Sequence, residues 1–168
     1  MKLVLALGVC LVVIFAALYL VGAFMPVKHQ ISVAKNIKLD RAKLWRLLTD
    51  YSKYPKWRSD ISSVERLEDR DGAEVWGETD SRKQQIAYQT RDVIEGTQFK
   101  RIIVSENLAF GGAWIFQLKD AAEGSELTIR EEGEVYHPLF RVLGKYVFGF
   151  DTSIKRFLRD LEQEVTQS

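Results

Sequence analysis

Few residues in this chain are suited to chemistry, and they are scattered. His29 and His137 are the only histidines and Cys10 the only cysteine. None of them has the pair spacing a structural or catalytic zinc requires, so no metal is expected. No P-loop and no dinucleotide fingerprint occurs, so no cofactor is expected, and Gly111-Gly112 reads as a hairpin or bulge device. His137 reads as a helix-start residue rather than a general base. Glu131 is more suggestive, because it shares strand parity with Leu127 and Ile129. A carboxylate on that inner face is desolvated and needs a cation or donors to hold its charge. Arg91 and Arg101 are the available cations. The alternative is a bulge near Gly133 that turns Glu131 outward. Arg58 follows Trp57 and stands either at the mouth of an interior, where it would meet an anionic head group, or in a solvated loop. With Tyr88 as a further proton donor, this is a thin inventory for acid–base catalysis.

The elements that must position these residues are mostly strands. Val27 to Leu39 alternates weakly and reads as an edge strand, with Lys35 protecting it. Asp40 is a candidate N-cap for a helix over Arg41 to Thr49. Asp50 to Trp57 reads as a loop or short helical turn broken by Pro55. Six strands follow: Ile61 to Glu68, Glu74 to Thr79, Gln84 to Ile94, Phe99 to Ser105, Ala113 to Lys119 and Glu126 to Tyr136. Asp71-Gly72 between the first two is a hairpin signal. No connection is long enough for a parallel crossover, so the sheet is expected to be antiparallel. Pro138 to Val165 carries apolar residues at steps of three and four and reads as one long terminal helix. Its first half, Leu139 to Phe150, is apolar nearly all round and must meet something besides water. The layout is α+β, with a twisted sheet curling around the last helix and an apolar space between them.

Composition limits the partners. Lys plus Arg number 24 and Asp plus Glu 23, which leaves no electrostatic footprint for nucleic acid. A single cysteine excludes an intrachain disulfide, and Cys10 reads as a small membrane-buried residue. Leu3 to Met25 is an uncharged apolar run of about the twenty residues that cross a bilayer. The run is too long for an ordinary signal peptide, and Val21 to Met25 is a poor cleavage site. A retained signal anchor over residues 1–26 is preferred, with one soluble domain over 27–168. Lys2 argues for an inside N-terminus and Lys28, Lys35, Lys38, Arg41 and Lys43 argue the reverse, so the side of the membrane stays open.

Four stretches resemble the START-like polyketide cyclase/dehydrase and lipid-transport superfamily, the helix-grip fold. They are Ile37 to Trp45, Asp50 to Trp57, Gly112 to Leu118 and Gly124 to Gly133. The resemblance implies a curved antiparallel sheet around a long C-terminal helix, and between them a cavity for hydrophobic ligands. Trp57, Trp76, Tyr88, Trp114, Glu131, Tyr146 and Phe150 are the expected lining, with Arg58 and Arg91 at the mouth. The expected function is a membrane-anchored binding protein for a lipid or other hydrophobic small molecule. The alternatives are an enzyme of the polyketide cyclase or aromatase type and a protein–protein adaptor using the Leu139–Phe150 surface. The expected partners are that small molecule and the membrane, and the sequence names no protein partner.

Overall fold

Tight hairpins organise the sheet. At Asp71-Gly72 both residues take positive φ (50° and 71°), the mirror-image turn whose twist matches that of the flanking strands. A computed structural model describes residues 2–167. Met1 and Ser168, the outer ends of the two expected segments, lie outside the described residues. The chain opens with α1 (Lys2–Phe24), followed by β1 (Lys28–Ile37) and α2 (Arg41–Thr49). A 3-10 turn (Tyr51–Lys53) leads into α3 (Tyr54–Trp57). The strands β2 (Ile61–Arg70), β3 (Ala73–Asp80), β4 (Gln85–Ile94), β5 (Gln98–Ile103), β6 (Phe110–Ala121) and β7 (Gly124–Val135) follow. The chain ends with α4 (Pro138–Leu143), a π-helical turn (Gly144–Phe148) and α5 (Thr152–Gln167).

All strand pairs are antiparallel, in the order β1-β7-β6-β5-β4-β3-β2. The sheet curves around α5, which makes this an α+β helix grip with an apolar N-terminal helix. One face of α5 supplies Ile154, Phe157, Leu158 and Leu161, all at most 3% exposed. They meet Phe99, Phe116, Leu127 and Ile129 from the central strands and Leu44 and Leu48 from α2. Asp40 caps α2 as its sequence position suggests, accepting the Lys43 N–H at 2.9 Å.

Three local readings need correction. The terminal helix is not continuous from Pro138 to Val165. Gly149 sits at φ 75°, where a side chain would be strained, and splits it into α4 with its π turn and α5. The apolar spacing runs through this break, which is why periodicity missed it. Pro55 does not break a helix but begins one, in the first turn of α3, where its missing N–H has no intrahelical partner to lose. The predicted interior space is also crowded by aromatic rings. Tyr51, Tyr54, Trp57, Phe157 and Trp114 meet in edge-on contacts with centroids 5.1–5.7 Å apart. An open groove of about 1040 Å³ is lined by Lys28, Gln30, Lys100 and Glu132 from the sheet's outer side and reaches His29 and Ile103 at its rim.

Candidate functional site

Two polar clusters lie on the inner face of the sheet. The first is centred on Arg101, in the middle of β5 and 4% exposed. Strand register places Arg101 opposite Trp114 of β6 and Thr90 of β4, and Trp76 of β3 opposite Tyr88 of β4. Glu78, two residues along from Trp76, therefore shares its inward face and is 3% exposed. One carboxylate oxygen of Glu78 accepts from Arg101 Nη1 and the other from Arg58 Nη1 at 2.8 Å. Arg58 also holds Asp60 through two parallel bonds, Nε to Oδ1 at 3.1 Å and Nη2 to Oδ2 at 2.9 Å. The two arginines and two carboxylates are charge-balanced.

Rings surround the cations. Arg101 lies over Tyr51 at 4.1 Å and Tyr88 at 4.7 Å, and Arg58 lies over Tyr54 at 5.0 Å and Phe157 at 5.3 Å. Burial is the largest single effect and works against both guanidinium charges, but the partners together outweigh it, Glu78 foremost and Asp60 as well at Arg58, and hold each pKa above the usual arginine value. Burial also pushes the Tyr51, Tyr54 and Tyr88 phenols up, so they stay neutral donors far above neutral pH. Tyr54 donates to the Leu48 carbonyl at 2.7 Å, and Tyr51 accepts from Thr90 at 3.2 Å.

This cluster is not fully satisfied. Arg101 Nε, Arg101 Nη2 and Trp57 Nε1 are buried with no hydrogen-bond partner among the described residues. Each such donor costs ~1–3 kcal/mol in an apolar interior. A core built for stability alone would not leave three of them bare, since an unsatisfied polar network is worse than an apolar one.

The second cluster lies on the same face two strands away, with Trp114 between it and Arg101. Glu131 on β7 lies opposite Trp114 and Ile31 in an unbroken register, so no bulge at Gly133 turns it outward. It accepts from Trp114 Nε1 at 2.8 Å and pairs with His29 Nε2 at 3.1 Å. Its side chain is 16% exposed and that of His29 15%. Phe150 stacks on the His29 ring at 4.0 Å and closes the cluster from the α4–α5 side.

The predicted lining residues therefore divide. Trp57, Trp76, Tyr88, Trp114 and Glu131 come together on the inner face, with Arg58 among them. Phe150 reaches only the His29 end. Tyr146 is 66% exposed and lines nothing inside. Arg91 is not at a mouth; it lies on the outer face, with a weak contact to Asp71 at 3.3 Å. Arg101 answers Glu78 rather than Glu131. Sequence pattern does not single out Glu78, Tyr51 or Tyr54 as site residues. Strand parity with Trp76 could have found Glu78, but a charged residue in a strand is ordinarily read as facing water.

The model of the family described as polyketide cyclase/dehydrase and lipid transport matches residues 28–166. Among solved structures, a START superfamily protein from Mycobacterium smegmatis is 15% identical with a TM-score of 0.64, over 83% of this chain and 98% of its own. The di-domain ARO/CYC StfQ of the steffimycin biosynthetic pathway is 11% identical with a TM-score of 0.63, over 84% and 52%. A norcoclaurine synthase from Thalictrum, solved with a transition-state analogue, is 10% identical with a TM-score of 0.63, over 84% and 96%. At these identities the likeness is one of fold. No curated protein matches the chain.

Proposed function

Because this chain belongs to the polyketide cyclase/dehydrase and lipid transport family, a hydrophobic-ligand-binding helix grip, we propose that it is a membrane-anchored binding protein for a lipid or other hydrophobic small molecule bearing one polar group. The observation that carries this reading is the trio of unpartnered donors, Arg101 Nε, Arg101 Nη2 and Trp57 Nε1, inside a cage of aromatic rings. An apolar body would lie against Trp57, Trp76, Tyr88 and Trp114, and its oxygen would accept from the free N–H groups. Ligand sites commonly combine apolar walls with a few placed polar points in this way. The rings must shift to admit the ligand, which exchanges ring–ring contacts for ring–ligand contacts of similar worth. The anchor reading is supported by Val4–Phe24, which has mean hydropathy 3.0, with none of its most apolar stretch buried against the rest of the chain.

The test is extraction. Full-length protein purified in mild detergent should release a hydrophobic compound into organic solvent, identified by mass spectrometry at near-stoichiometric yield. An empty extract, together with no rise in Tm when stripped protein is given fatty acids, sterols or phospholipids, overturns the reading.

The paired His29 and Glu131 favour a second reading, an enzyme of the cyclase or aromatase type. An imidazole beside a carboxylate can pass a proton to or from a bound substrate. His29→Gln and Glu131→Gln would then retain bound ligand but leave it unconverted. If wild-type protein and both variants return the same compound, the catalytic reading fails.

A further inference from the structure

Three features lie outside the site just described: the docking of α1 on the domain, the bare aromatic surface after Pro138, and the polar groove on the outer face of the sheet. The first two are parts of one arrangement. α1 is not a free tether. Gly22 lies so close to α4 that a Cβ there would fall 2.1 Å from the Pro138 carbonyl oxygen. One turn earlier, Tyr19 meets the His137 ring edge-on at 6.2 Å. Arg141, 8% exposed, fastens the joint. Its Nη1 donates to the Gly22 and Met25 carbonyls at 3.1 and 3.3 Å, Nε to Val135 at 2.7 Å and Nη2 to Tyr136 at 2.8 Å. The Gly22 carbonyl lies in the last turn of α1, where it also accepts the Met25 N–H at 3.2 Å, and Met25 follows the helix; a cation is favoured at such an end.

This joint fixes depth. Val4–Phe24 is 21 residues, about 31 Å of helix against a hydrocarbon layer of ~30 Å. The span has no slack, so Tyr19 and Gly22 lie within the last ~8 Å of the apolar layer. His137 and Pro138, which touch them, must lie at the same level. Beyond Pro138 the chain is bare: Phe140 is 51% exposed, Tyr146 66%, Val147 63% and Phe148 66%. Three consecutive large apolar residues in a π-helical turn facing water would be costly. Lys145, next to them and 5.4 Å from the Tyr146 ring, is suited to reach back to head groups while its stem stays apolar.

We infer that Phe140 and the π turn Tyr146-Val147-Phe148 insert into the interfacial layer of the bilayer that α1 crosses, forming a second membrane contact held at depth by Arg141. The inference rests on the reading of α1 as a retained span. Phe150, two residues after the inserted turn, is stacked on His29 at the mouth of the Glu131 cluster. The membrane-seated segment therefore forms the wall between the lipid phase and the interior.

The experiment uses the full chain in phosphatidylcholine vesicles. Cys10 is replaced (Cys10→Ala), and a single environment-sensitive dye is attached through Phe148→Cys or Val147→Cys. A control dye goes on Glu123→Cys at the far hairpin, about 40 Å of β6 away. Flotation with the vesicles tests the anchor alone. The inference expects lipids brominated near the head group to remove about half the emission at 148 and 147, as for a probe seated ~5–10 Å deep, and to spare 123. Aqueous iodide should show the reverse. A protein that does not float overturns both the anchor and the inserted segment. A protein that floats while iodide quenches 148 and 147 as freely as 123 overturns only the inserted segment, and returns that surface to a protein partner.

Discussion

Arg101 is where most of the functional reading concentrates. Its charge is balanced by Glu78, and its remaining donors are not satisfied. Removing Glu78 would leave Arg101 without its carboxylate in a dry interior. Glu78→Gln is therefore expected to cost ~3–5 kcal/mol in denaturant unfolding, as for a broken buried pair. Adding Arg101→Met should recover much of that loss, because the orphaned cation is then gone. The phenols around it make a separate prediction. Tyr51, Tyr54 and Tyr88 have folded pKa values raised by burial above the unfolded value of about 10. Below pH 10 both states are protonated and the contribution is complete. As pH rises past 10 the unfolded chain loses protons that the fold retains, so stability falls by ~1.4 kcal/mol per pH unit for each tyrosine. Urea midpoints that stay flat through this range would contradict the burial of these rings. Parity placed Glu131 with Leu127 and Ile129, and the register keeps it there. Parity leaves Glu78 and Arg101 unplaced, because a period-two pattern shows in apolar residues and a buried ion pair interrupts it.

Elements were more legible than their joints. The strands, the Asp40 cap and the antiparallel order follow from alternation, turn chemistry and short connections. The terminal helix reads as one piece in the sequence because its apolar spacing survives a break that only backbone geometry reveals. Gly149, at φ 75° and ψ 137°, is that break. Gly149→Ala should lower stability by ~1–3 kcal/mol through strain at this position, whereas Gly8→Ala, with open space around Gly8, should leave the unfolding midpoint unchanged. Equal effects would mean that the break is not constrained. α5 is tied at its middle as well as along its apolar face. Asp160, 3% exposed, accepts the Ser59 N–H at 2.8 Å and its hydroxyl at 2.6 Å, fastening the loop that carries Arg58 onto the helix. This ties the polar cluster to the helix that closes the interior.

At the scale of the molecule, composition alone announces a helix long and apolar enough to cross a bilayer, but nothing in the sequence announces how that helix meets the domain. That joint depends on Arg141 reaching four carbonyls from separate parts of the chain, which leaves no periodic trace. Bonds to a charged donor contribute ~1.5–3 kcal/mol. Arg141→Ala should accordingly raise amide hydrogen exchange about tenfold or more around residues 22–27 and 135–141, with the central strands unchanged. Unaltered exchange at both segments would mean that the joint is held by something else. The joint fixes α1 against α4, and with it the position of the domain relative to the apolar helix. If the interior holds a ligand on the Arg101 donors, native mass spectrometry of the detergent-released full chain reads it as added mass. Wild-type protein is expected to carry the added mass of a small hydrophobic molecule, and Arg101→Met, with unchanged circular dichroism, is expected to fly without it. A wild-type ion at the bare polypeptide mass that takes up no added lipid, or a variant that holds ligand as fully as wild type, would contradict the account.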